Sequence, residues 1–308
     1  MGELVILSSV YQPYRWLAPL LKTQLDQHWP NHPRMLVAGL TPEEAGSLPA
    51  LPVTDGTLPR NWCRFMREAC ETLRAQGVQF CYLVPEEHPP IAPCHVQHLN
   101  ETLPRWMREL NASYIGLMGW DRRRPVDRGK LVGAAYPGLH DLRTARGPRF
   151  QLHPALWSLD ALIACLDLIL SQPKQSPWAF ENNSRKSDAA LPDWVKEGCY
   201  ILCGAEMSAT PPTPLRRNLR GLGHFIARRF VGLVYRLPRA WRRPLWDWAQ
   251  LDHFFYNGPF PLFFGGVMTK GQINPRYLRH LECDGASAAA NAPLIAAIRA
   301  QMLPEQRA

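Results

Sequence analysis

The sequence predicts an α/β fold, a mostly parallel central sheet flanked by helices and followed by a basic amphipathic helical extension. Three observations lead there. Short apolar runs alternate with helix-length amphipathic segments over residues 1–205, the spacing that joins parallel strands through crossover helices. One of these runs, at residues 78–84, stops abruptly in Pro85-Glu86-Glu87-His88-Pro89-Pro90, as a strand does where a site begins. The 308 residues, 46% of them hydrophobic, suffice for one large core without staples.

The elements follow in order. Leu4–Ser9 reads as a strand, residues 14–29 as a helix despite Pro19, and residues 34–40 as a second strand. A Pro- and Gly-rich connection then carries the turn Asp55-Gly56. Residues 61–76 form the clearest helix: Trp62, Phe65, Met66, Ala69, Cys70 and Leu73 make one apolar stripe, and Gly77 stops it. The strand at 78–84 precedes the acidic turn, a helix spans about 93–110, and a strand follows at 113–118. Residues 120–148 read as an irregular basic loop, long enough to serve a site. Residues 158–170 are helical by pattern, Pro177 opens another helix, and residues 200–203 form a strand.

Eight scattered cysteines without CxxC spacing suit reduced, buried thiols in a cytoplasmic protein. The first residues carry no basic segment ahead of an apolar core, so no secretory signal is expected. The apolar stretch 253–268 is broken by Pro259, Pro261 and glycines, too short to span a bilayer.

The net charge of +9 has one location. Residues 215–243 hold nine arginines and no lysine, aspartate or glutamate, which leaves 26 basic and 26 acidic residues elsewhere. Apolar residues recur there at three- and four-residue steps, and Trp241, Trp246 and Trp248 follow. An anionic membrane surface facing residues 215–248 fits this pattern, as does an ordinary solvated helix. Nucleic acid is a weaker competitor, since no zinc spacing or RNA-recognition motif accompanies the charge.

Two constellations carry chemistry. Glu86, Glu87 and His88 place oxygen and nitrogen ligands at the predicted sheet's edge, where a divalent cation or an anion can be held. A solvated acidic turn is the plain alternative. The second runs from Gln151-Leu152-His153 through Trp157 to Pro177-Trp178-Ala179-Phe180-Glu181. Here Trp157 suits either a sugar-facing wall or the core.

On these residues the chain resembles bacterial glycosyltransferases of the GT-A type associated with surface-polysaccharide assembly. The strand LVILSS with Tyr14, Arg15 and Trp16 after it, the element YLVPEEHPPI, the Gln151 to Glu181 stretch, and Gly265-Gly266-Val267-Met268-Thr269-Lys270-Gly271 carry the resemblance. It implies a nucleotide-diphosphate sugar donor and a saccharide or lipid-linked acceptor. Glu181 would be the catalytic base of an inverting transfer. Ser8, Ser9, Val10, Asp55, Glu86 and Lys270 would contact the donor, and Gln151, His153, Trp157 and Trp178 the acceptor. Glu86, Glu87 and His88 would hold manganese or magnesium, although the family usually shows aspartates there. The resemblance divides the chain into a catalytic domain at 1–205, the basic segment at 206–250, and residues 251–308 returning to the core. It places the protein in the cytoplasm, peripheral to the membrane.

Two other classes compete. A non-catalytic nucleotide- or glycan-binding protein would keep this fold. Another metal-dependent nucleotide-using enzyme, such as a nucleotidyltransferase, would need a Gly-rich basic phosphate loop after the first strand, where this chain reads SSVYQPYR.

Overall fold

The structure is a computed structural model that describes residues 4–53, 61–119, 129–144, 150–173, 175–186, 190–203, 237–238, 241, 255–256, 258–263, 266–269, 271–282 and 285–302. Strand β1 (Leu4–Ser9) leads through a 3₁₀ turn at Gln12–Tyr14 into α1 (Leu17–His28) and β2 (Met35–Ala38). After the short α2 (Pro42–Ala45) come α3 (Trp62–Ala75) and β3 (Phe80–Leu83). The predicted α3 stripe is the buried face, and Gly77 closes the helix at a φ of 83°, a backbone conformation that glycine adopts without strain.

The helix expected at 93–110 is in two parts, a π turn at His98–Thr102 and α4 (Leu103–Glu109). Pro104 explains the break. It has no N–H to donate to the carbonyl four residues back, and its ring crowds that carbonyl, so the chain widens just ahead of it. Then follow β4 (Tyr114–Gly119), the hairpin β5 (Lys130–Leu131) and β6 (Leu139–Asp141), β7 (Ala155–Ser158), α5 (Leu159–Leu170), α6 (Pro177–Lys186), α7 (Asp193–Glu197) and β8 (Cys199–Cys203). A hairpin thus occupies part of the segment expected to be irregular.

These strands form one sheet in the order β2-β1-β3-β7-β4-β8-β6-β5. Strands β7 and β6 run against the other six, so the sheet is mostly parallel in direction, with a reversed strand at its centre. Successive strand residues go to opposite faces. Val5, Leu7, Cys81, Leu83, Ala155 and Trp157 join α3 and α5 in one core cluster, while Ile6, Tyr82, Val84, Leu156 and Leu117 join α1 and α4 in another.

The C-terminal residues fold back onto this body. Strands β9 (Phe255–Tyr256) and β10 (Leu262–Phe263) pair, as do β11 (Met268–Thr269) and β12 (Gln272–Ile273), before α8 (Pro275–Leu281), α9 (Gly285–Ala290) and α10 (Ala292–Gln301). A third apolar cluster joins Tyr277, Leu281, Leu294 and Ile298 to Leu17 of α1 and to Ile91. The Asn291 side-chain amide donates to the Ile91 carbonyl at 3.0 Å. Among the described residues no helix is long and apolar enough to cross a membrane, and Cys63, Cys70, Cys81, Cys94, Cys165 and Cys199 are free and buried.

Candidate functional site

Because β1 and β3 are parallel neighbours in register, Leu7 opposite Leu83, their carboxyl ends lie side by side. The N–H of Val84 still donates to the carbonyl of Leu7, and a tight turn from the Pro85 carbonyl to the His88 N–H then redirects the chain. Glu86, only 6% exposed, accepts the Tyr11 N–H at 3.0 Å, so it ties the end of β3 to the turn that follows β1. Burial, with the Glu87 charge beside it, pushes its carboxyl up to about 8. Ser8, Ser9 and Val10 are all buried at this edge. Val10 packs in the core, and its N–H continues the ladder to the Ala38 carbonyl.

Glu87 is half-buried and faces the second constellation. Burial first, and then the negative charge of Glu181, raise its pKa to about 7. Glu181 arrives from a different part of the chain. Helix α6 begins at Pro177, with the Ala179 N–H donating to Ser176 Oγ and the Phe180 N–H to the Ser176 carbonyl. Phe180, fully buried, locks the helix against Trp62, Phe150 and Trp157, with ring centroids 5.3, 5.0 and 6.1 Å away. One residue on, Glu181 Oε1 accepts the Leu152 N–H at 3.3 Å. Gln151 is buried, and its N–H donates to the Tyr114 hydroxyl. Trp157 is wholly enclosed, 4.7 Å from the Tyr114 ring, and is placed as a core side chain. Trp178, in contrast, is 64% exposed.

His88 is buried, with its ring centroid 5.1 Å from that of His153. Burial, and then His153, hold its pKa well below the usual imidazole value, so it is neutral. The structure therefore brings together Glu86, Glu87, His88, His153 and Glu181 from both constellations. Asp55 and Lys270 lie outside the described residues.

Two further contributors join the site: sequence reasoning passed over Tyr11 and named Tyr14 and Gly266 only among the residues that carry the resemblance. Tyr11 and Tyr14 stack edge to face with centroids 5.0 Å apart in the turn after β1. Burial raises the Tyr14 pKa, and the charges of Glu87 and Glu86 add to it. The aromatic pair immediately after the first strand was the available signal. The other contributor is Gly266, at a φ of 64°. A Cβ there would lie 3.1 Å from both the Glu87 carbonyl oxygen and His88 Cε1. The Val267 N–H donates to that same Glu87 carbonyl at 2.8 Å, and Asn274 Nδ2 donates to the Gly266 carbonyl at 3.1 Å. The C-terminal hairpin thus presses directly on the acidic turn, and Gly271 follows it 3.7 Å from the Tyr14 hydroxyl, measured from the Cβ a side chain would have.

Among the described residues no group of three or more His, Cys, Asp and Glu side chains is placed to hold a metal ion by itself. At the site, His88 Nε2 lies 3.8 Å from Glu87 Oε1. Magnesium is commonly held by one or two carboxylates plus substrate phosphates. The donor set fits a cation that arrives with phosphates, and does not form a closed protein cage.

No family model matches the chain, and no curated protein matches it. Among solved structures it is similar to a glycosyltransferase involved in the glycosylation of the major capsid of PBCV-1, at 10% identity over 70% of this chain and 97% of that one, with a TM-score of 0.30. It is also similar to S. aureus TarS, at 10% identity over 99% of this chain and 54% of that one, with a TM-score of 0.36. The chain spans about half the length of TarS. Likeness this distant carries no argument, so the function must be read from the residues of the site themselves.

Proposed function

We propose that the chain is a GT-A-type glycosyltransferase that moves a sugar, with inversion, from a nucleotide-diphosphate donor to a saccharide or lipid-linked acceptor in surface-polysaccharide assembly. The observation that carries this reading is the meeting of Glu87 and Glu181. They are 94 positions apart in the chain (181 minus 87), yet at the carboxyl edge of β1 and β3 burial, and then the Glu181 charge, raise the Glu87 pKa. That edge is where open α/β sheets hold their ligands.

In the transfer, the Glu181 carboxylate takes the proton of an acceptor hydroxyl as its oxygen attacks the anomeric carbon. The bond from that carbon to the diphosphate breaks on the opposite side, and the electron pair leaves with the nucleoside diphosphate. The Leu152 N–H orients Glu181 through one oxygen, and Phe180 fixes the helix that carries it. Glu86 holds the β1 turn in place. Manganese or magnesium, held by Glu87 with His88 beside it, would supply positive charge to the departing diphosphate. This matters because the carboxylates and phenols gathered here repel an anionic donor or offer it little charge, and the His88 imidazole beside them is neutral.

Thermal denaturation with a panel of nucleoside diphosphates and their sugars, with and without manganese or magnesium, tests the reading. A rise in Tm of several degrees with one nucleotide is expected, weakened in Glu87→Ala. Glu181→Gln should retain that rise and lose transfer by ~100-fold or more. If no nucleotide stabilises the wild type under either condition, the transferase reading falls.

A further inference from the structure

The acidic turn is held by residues far along the chain from the sheet that presents it. Pro89 and Pro90 have no N–H to donate, so the backbone behind Glu87 and His88 is fixed by what flanks it. On the entry side the Val84 N–H bonds to β1. On the exit side both polar backbone groups of Ile91 go to the C-terminal residues. Its N–H donates to the Pro261 carbonyl at 3.0 Å, and its carbonyl accepts the Asn291 side-chain amide at 3.0 Å. With the bond from the Val267 N–H to the Glu87 carbonyl, three backbone groups between Glu87 and Ile91 find partners at Pro261, Val267 and Asn291.

Asn291 is the one of these three that acts through its side chain, and it forgoes a local role to do so. It precedes α10 as the N-cap, where asparagine usually accepts an N–H of its own helix's first turn, yet it makes no such bond. Pro293 in that first turn offers no N–H. The buried side chain instead reaches Ile91, 200 positions away in the sequence. Helix α1 closes the joint from a third side. Gln24 and His28, one turn apart, are buried there, and His28 faces the Asn291 side chain. The His28 carbonyl accepts the Cys94 N–H at 2.7 Å, and Gln27 Nε2 donates to the Ala290 carbonyl at 2.6 Å.

Resting on the transferase reading, we infer that Asn291 is a positioning residue for the cation and diphosphate site: acting through Ile91, it sets where Glu87 and His88 stand. The C-terminal helices are then part of the donor site and not an appendage to it. The two prolines between His88 and Ile91 have fixed φ, so a displacement at Ile91 is passed on to His88 and Glu87 instead of being absorbed.

Asn291→Leu keeps the volume and removes the donor. Hydrogen exchange at the Glu86, Glu87, His88 and Ile91 amides, and titration of a nucleoside diphosphate with and without manganese, test the tie. Exchange at these amides should quicken by roughly tenfold, as the loss of about one hydrogen bond allows. Manganese-dependent nucleotide affinity should fall by roughly tenfold, as it does when an outer partner of a cation ligand is lost, with metal-free affinity within about twofold of wild type. Asn291→Ser, too short to reach Ile91, should repeat this result and stands in if the leucine variant does not fold. Ile298→Ala loosens α10 in its apolar cluster, leaves the amide in place and should do neither. Unchanged exchange at the turn, an unchanged manganese dependence, or equal effects in Ile298→Ala overturns the proposal. The two readings fail separately. A wild type that binds no nucleotide sinks the transferase reading, and the exchange measurement, which needs no ligand, then decides by itself whether Asn291 positions the turn.

Discussion

Glu86 and Glu87 are adjacent in sequence and do different work. Glu87 looks across the site to Glu181, while Glu86 turns inward and accepts the Tyr11 N–H. A glutamate in the unfolded chain titrates near 4.5, and Glu86 in the fold keeps its proton up to about 8. The folded state therefore binds more protons between those values. The stability that Glu86 contributes is fully present below about 4.5 and is lost as pH rises through about 8. Glu86→Gln keeps an oxygen for the Tyr11 N–H and cannot ionise. Its stability relative to wild type should grow from pH 5 to pH 9 by an amount on the order of a few kcal/mol, since one pKa unit is worth about 1.4 kcal/mol. Urea denaturation at the two pH values measures this, and an advantage that does not change with pH would refute the buried, protonated state. That two neighbouring glutamates part in this way was not legible in the sequence, because which way each points depends on a backbone N–H 75 positions earlier.

At the scale of elements, the sequence shows most clearly what has its own period. The stripe on α3 and the apolar strands β1 and β3 announce themselves because alternate or every third and fourth residues are apolar. Strand β7 does not. Its four residues pair on both sides at the centre of the sheet, and α5 begins at Leu159 with no turn after Ser158, so its apolar residues merge with those of the helix. The small C-terminal hairpins are equally silent, since each strand has two residues, too few to show a period. Helix α6 lies between these cases: its opening at Pro177 is legible, and its anchor is not. Phe180 sits among Trp62, Phe150 and Trp157, three residues from three different segments. Phe180→Ala should cost about 3–5 kcal/mol by chemical denaturation. A loss under about 1 kcal/mol would mean that α6, and with it Glu181, is held by something other than this aromatic cluster.

For the molecule as a whole, the sheet's two faces are covered by helices, and the C-terminal residues lean on α1 and Ile91. The charge is arranged otherwise. The entire excess of +9 is accounted for by the nine arginines of residues 215–243. Those residues fall outside the described ones apart from Leu237, Pro238 and Trp241, the last of which is 66% exposed. On the proposed membrane-peripheral reading, a formally neutral remainder leaves the attraction to an anionic surface to this segment. We expect the full chain to cosediment with vesicles containing phosphatidylglycerol and to stay in solution with neutral phosphatidylcholine, with binding weakened at high salt. Each basic residue near such a surface contributes about 1 kcal/mol. Replacing Arg216, Arg217 and Arg220 by glutamine should therefore weaken the partition by roughly 100-fold, since about 1.4 kcal/mol is tenfold. The Tm of the triple variant should stay near that of wild type. Equal cosedimentation with both kinds of vesicle would reject electrostatic attachment, and loss of nucleotide binding in the same variant would tie the arginines to the donor instead.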